Sequence, residues 1–135
     1  MALSNTPDNI GPSDLPENGI FVFGSNTKGV HGSGAALFAK LHFGAQQGVG
    51  EGWTGRCYAF PTLNADSSGG FRLERRTHDE LVESVRRFAW AVSVTPEKTY
   101  YLTKVGCGLA GYSESHMREI FMGIQAPNLI KPKGW

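Results

Sequence analysis

Four consecutive pieces decide the fold class of this chain: Ile20-Phe21-Val22-Phe23, Gly24-Ser25-Asn26, Gly29-Val30-His31-Gly32-Ser33-Gly34, and Ala35-Ala36-Leu37-Phe38-Ala39-Lys40-Leu41-His42-Phe43 before Gly44. The first is a continuous apolar run bounded by turn residues, which predicts a short strand buried on both faces. The glycine-bearing stretch 24–34 predicts a permissive loop. The fourth piece has good helix formers and apolar residues nearly all round, so it predicts a buried helix with Gly44 as its stop. Strand, glycine loop and buried helix in that order are the opening unit of an α/β fold.

The pattern repeats downstream. A second glycine-rich segment, 48–55, reads as flexible, and Glu51 and Trp53 in it are candidates for a lid, the alternative being surface packing of Trp53. Cys57-Tyr58-Ala59-Phe60 predicts a strand stopped by Pro61. Residues 62–76 read as a polar loop, with Arg72, Glu74, Arg75 and Arg76 a solvated approach to the next helix. Thr77-His78-Asp79-Glu80 is a capping box. After it Leu81, Val82, Val85, Phe88, Ala89 and Val92 recur at helical spacing, and Pro96 closes the helix. Thr99-Tyr100-Tyr101-Leu102-Thr103 predicts a third strand, with one tyrosine inward and one outward. A short helix is expected over 115–122 after a Ser113 or Ser115 cap. The tail 127–135 is expected on the surface with Trp135 in a groove, the alternative being a frayed end. Strands alternating with helices give one domain over 19–135, a mixed, mostly parallel sheet flanked by helices. Residues 1–18 read as a flexible N-terminal arm.

Length and charge bound the function. A chain of 135 residues makes one domain. Thirteen Lys and Arg against twelve Asp and Glu argue against a nucleic-acid binder of the polyelectrolyte kind, which needs clustered excess cations. Cys57 and Cys107 are too few for a disulfide framework or a zinc cage, and His42 and His116 lack metal partners at useful spacing, so no metal and no cofactor are expected. No signal peptide or membrane-length apolar run is visible, and the expected location is cytoplasmic.

The 18 glycines, roughly twice average usage, carry the functional argument. Glycine loops after parallel strands lie at the rim where such sheets bind ligands. Gly106-Cys107-Gly108-Leu109-Ala110-Gly111 follows the third strand, and Gly32-Ser33-Gly34 opens a helix. Main-chain N–H groups in such loops make a phosphate site that needs no Lys or Arg. Two loops on one rim suit a ligand with two phosphates. The dinucleotide fingerprint and the P-loop are both absent. Tight turns and close helix–strand packing are the competing account of these glycines. His31 is a candidate general acid or base or a mere polar contact, and Lys104 a candidate phosphate partner or a solvated strand end.

These residues resemble a macro domain, the fold that binds ADP-ribose. The resemblance is clearest to the terminal ADP-ribose glycohydrolase branch, where Met-Gly-Ala-Gly-Ile-Ala runs into a helix ending Lys-Phe-Gly; here His31-Gly32-Ser33-Gly34-Ala35-Ala36 runs to His42-Phe43-Gly44. That branch has the phosphate loop Ile-Gly-Cys-Gly-Leu-Asp-Gly, and this chain has Val105-Gly106-Cys107-Gly108-Leu109-Ala110-Gly111. Phe21-Val22-Phe23-Gly24-Ser25-Asn26 looks like the strand and Asn turn of macro domains. The chain also resembles a family of small bacterial and phage-related proteins with a Gly-Cys-Gly-Leu-Ala-Gly-Tyr loop. The match covers residues 19–122 in outline and is specific over 20–44 and 99–112.

The resemblance implies that Asn26 faces the distal ribose, that Gly32, Ser33 and Gly34 flank the diphosphate, and that Gly106, Cys107, Gly108, Leu109, Ala110 and Gly111 wrap the phosphates. Tyr112 then stacks beside or closes over a ribose or base. The branch's catalytic Lys and assisting Asp fall on Leu63 and Ala110, which can neither form a Schiff base nor move a proton. The expectation is therefore binding of ADP-ribose or a related diphosphate nucleotide, free or on an ADP-ribosylated macromolecule. The alternatives are an ADP-ribosyl hydrolase using His31 or an ordered water, and an interaction protein with a degenerate site.

Overall fold

The computed structural model describes residues 3–66, 68 and 70–135. Met1 and Ala2 of the arm, and Ser67 and Gly69 of the 62–76 segment, lie outside them. The elements in chain order are β1 (Gly19–Asn26), α1 (Gly34–His42), β2 (Gly52–Thr54), β3 (Cys57–Asp66), β4 (Arg72–Arg75), α2 (His78–Val94), β5 (Thr99–Leu102), α3 (Glu114–Phe121) and β6 (Leu129–Ile130), with one 3-10 turn at Pro12–Asp14 before them. The sheet order is β2-β3-β1-β5-β6, and β4 pairs with β3. The β1–β3, β1–β5 and β5–β6 pairs are parallel, while β2–β3 and β3–β4 are antiparallel. This is the expected mixed, mostly parallel α/β sheet.

Alternation along β1 builds two cores. Ile20 and Val22 join Tyr58, Phe60, Leu81, Phe88, Tyr100, Leu102, Met117 and Phe121 beneath α2 and α3. Phe21 and Phe23 join Ala36, Ala39, Phe43, Cys57, Ala59 and Tyr101 beneath α1. Both sheet faces are covered, so Tyr100 and Tyr101 are both buried, on opposite faces, rather than one inward and one outward. The capping box of α2 forms as read: Glu80 N–H donates to Thr77 Oγ1 at 3.2 Å and Thr77 N–H to Glu80 Oε1 at 2.9 Å. Ser113 caps α3 by accepting from the His116 N–H.

Several local expectations differ from the structure, and the 48–55 segment read as flexible contains strand β2. Pro61 does not stop β3. It sits between the stretch paired with β2, ending at Ala59, and the stretch paired with β4, beginning at Leu63, where a missing N–H costs no ladder bond. The strand then continues and turns back as β4, so most of the expected 62–76 loop is a hairpin. Arg76 is buried, not solvated: its guanidinium donates to Ser84 Oγ at 2.7 Å, Pro61 O at 3.3 Å and Asn64 Oδ1 at 3.3 Å. In the 1–18 segment Ile10 and Leu15 are buried in the α1-side core, and Thr6 bridges to Pro132. Trp135 packs on the α3-side core beside Phe121.

Candidate functional site

The parallel strands β1, β3 and β5 present their C-terminal ends to one rim, and a cavity of about 310 Å³ lies there. Gly24, Thr62 and Leu63 come from the strands, Gly32 to Ala36 from the first glycine loop and the start of α1, and Gly106, Gly108, Leu109 and Ala110 from the second loop. The two glycine loops therefore meet at one hollow. A second cavity of about 410 Å³ shares Ala35 and Thr103 with it, with Phe21 and Phe38 among its lining and Asp8 to Gly11 along one side.

The donors follow from helix geometry. Ser33 caps α1 without a side-chain bond, and Gly34, Ala35 and Ala36 are its first residues, whose N–H groups have no intrahelical acceptor. All three line the cavity. The second loop is folded by bonds from Cys107 N–H to Lys104 O, Gly111 N–H to Gly108 O and Tyr112 N–H to Gly106 O. The N–H groups of Gly108, Leu109 and Ala110 have no partner among the described residues. Ala110 and Leu63, the positions that the resemblance pairs with Asp and Lys, are both buried in the lining.

The loops are held in place by close backbone approaches. Gly29, at φ +66°, would put a Cβ 2.4 Å from Val49 N, and Gly50 would put one 2.5 Å from Asn26 O. Asn26 braces the same turn: its amide donates to Val30 O at 2.9 Å and its Oδ1 accepts from Val30 N–H at 3.1 Å. The Asn26 side chain is thus spent on shaping the loop, although the residue lines the cavity. Gly48 and Gly50 serve this clamp, with the Gly48 N–H donating to Gly29 O at 2.8 Å, whereas Gly55 packs against Gly44. Trp53 is no lid, because its Nε1 donates to Tyr100 Oη at 2.7 Å and Glu51 pairs with Arg87 at 2.7 Å.

Of the expected residues, Asn26, Gly32, Ser33, Gly34, Gly106, Gly108, Leu109 and Ala110 line the cavity, whereas His31, Cys107, Gly111 and Tyr112 do not. His31 is 1% exposed: its ring stands edge-on to Phe23 and its Nε2 lies 3.1 Å from Gln46 O. The ring thus belongs to the core rather than to the rim, and this burial lowers its pKa. Cys107 packs toward the α3-side core, where burial raises its thiol pKa. The Tyr112 hydroxyl donates to Arg76 O, and its ring stacks on His116 with Arg75 above it. His116 meets His78 at 3.2 Å, but no group of three or more metal-ligating side chains forms among the described residues.

Sequence reasoning missed Phe71 and Leu73, which reach the cavity from the hairpin. Their signal was the alternation Phe71-Arg72-Leu73-Glu74, a strand pattern read as loop. Thr103 and Lys104 also line the cavity. Hydrogen bonds that the Lys104 ammonium donates to Glu114 and then to Asp8 raise its pKa and hold it charged. No helix among the described residues is long and apolar enough to cross a membrane.

No protein-family model matches the chain, and no curated protein matches it. A solved structure of a protein of unknown function from Bacteroides thetaiotaomicron is similar in fold, with a TM-score of 0.53 and 17% identity over 89% of this chain and 91% of that one.

Proposed function

We propose that this chain binds ADP-ribose or a related diphosphate nucleotide at the sheet rim, free or as part of an ADP-ribosylated macromolecule. One observation carries the reading: unpartnered main-chain N–H groups at Gly34 to Ala36 and at Gly108 to Ala110 belong to residues lining the same hollow. Such donors suit an anion with several acceptor oxygens, and the start of α1 adds the positive end of a helix dipole. A diphosphate meets both loops at once. The adjoining cavity, with Phe21 and Phe38 in its lining, leaves apolar room for a base or sugar beside it.

Binding is favoured over hydrolysis. Leu63 and Ala110 offer no nucleophile, acid or base, and among the described residues Lys104 is the one titratable side chain on the lining. His31 has no place in the reading, since its ring lies in the core. Titration calorimetry with ADP-ribose, NAD and pyrophosphate tests the proposal. Saturable one-to-one binding of ADP-ribose is expected; no heat from any of the three sinks it.

A further inference from the structure

Lys104, on the cavity wall, already has partners. Its ammonium lies 3.4 Å from Asp8 Oδ1 and 3.4 Å from Glu114 Oε1. Glu114 is the first residue of α3. Asp8 arrives on the N-terminal segment, which is anchored on either side of it: Thr6 N–H donates to Lys131 O at 2.9 Å, and Ile10 is buried. Asp8 is therefore delivered to Lys104 by fixed points, from the side of the adjoining second cavity, whose lining it shares. One ammonium faces two carboxylates, a net charge of −1. An anion entering the cavity meets its nearest side-chain cation already neutralised. Both carboxylate side chains are well exposed, at 78% and 58%, so each pair is of the weak surface kind that an arriving anion can break.

We propose that Asp8 and Glu114 are built-in competitors for the Lys104 ammonium, so that a phosphate displaces a carboxylate as it binds and the N-terminal segment sets the affinity of the site. This rests on the anion-binding reading above. The exchange moves one carboxylate from the ammonium to water and one phosphate oxygen from water to the ammonium. A polyanion is favoured over a monoanion, because it engages Lys104 and the loop amides together. An uncharged nucleoside has nothing with which to displace Asp8.

The test uses the full chain and the near-isosteric variants Asp8→Asn and Glu114→Gln, each titrated with ADP-ribose and with pyrophosphate at low ionic strength. Each variant is expected to bind about two- to fivefold more tightly than the parent protein. The gain shrinks at about 0.5 M salt, where exposed charges are screened. It disappears when Asp8→Asn is combined with Lys104→Met, because the competition needs the ammonium. If the parent binds ADP-ribose and neither variant binds more tightly, the competition is refuted and the binding reading stands. An equal gain with and without Lys104 also refutes it, since the effect is then general repulsion. No binding of ADP-ribose or pyrophosphate by any of these proteins overturns both. Thermal melts establish that each variant is folded.

Discussion

Gly108→Val separates a phosphate-binding loop from a merely compact one. Gly108 lines the cavity, its φ is not in the left-handed region, and a Cβ there meets nothing within 4 Å. The fold should therefore accept valine within about 0.5 kcal/mol, as at an ordinary surface position. A ligand phosphate should not accept it, because the branched side chain takes the space through which an anion approaches the amides of residues 108–110. A hydrogen bond to a charged acceptor contributes about 1.5–3 kcal/mol. Losing two of them costs about 3–6 kcal/mol, at least about a hundredfold in Kd. Calorimetry with ADP-ribose reads the affinity, and a thermal melt of the same sample reads the fold. Gly32→Val repeats the test from the other loop, again into open space. Gly106→Val is the contrast: at φ +81° with Met117 Cε 2.9 Å from its Cβ, it should lower the melting temperature. If Gly108→Val and Gly32→Val both bind ADP-ribose as the parent does, the phosphate is not between these loops and the reasoning fails.

Removing the Thr77 hydroxyl in Thr77→Ala breaks the cap on α2 and should cost about 1 kcal/mol, read from the urea midpoint. Phe88 is fully buried among Tyr58, Phe60, Tyr100 and Phe121, so Phe88→Ala should cost about 3–5 kcal/mol, measured the same way. Burial sets the folded pKa of His31 below its unfolded value of 6.5. Stability from its neutral form is then complete above pH 6.5 and falls as the pH drops from there toward the folded pKa. A His31→Asn variant should show a smaller fall between pH 7.5 and 5.5 than the parent, and an equal fall refutes the assignment. Affinity for ADP-ribose should change less than about twofold between pH 6 and 8, since the donors are amides and Lys104 stays charged; a bell-shaped profile in calorimetry would contradict this.

The strand–loop–helix opening was legible because its period changes sharply, from a continuous apolar run through glycines to an all-round apolar helix. The capping box at Thr77 was legible because it is local chemistry. What escaped was set by distant partners. Pro61 looks like a terminator until β2 and β4 are seen to leave a gap beside it. The two residues of β6 are too few for any period. Ile10 and Leu15 are isolated apolar positions in polar sequence, and only the sheet face that receives them reveals their burial. In the candidate site, the meeting of the two glycine loops was legible because each follows a strand of a mostly parallel sheet. The burial of His31 was not, because it depends on Phe23 and Gln46 closing around the ring.

The donors at the rim are peptide groups, so no side chain's identity encodes them. Most single substitutions in these loops leave every N–H in place; only proline, which strips one away, or bulk that crowds the opening erases the chemistry. Such a surface tolerates extensive drift in its letters. Kinship between pockets of this sort is written in the path of the chain and the lengths of its turns.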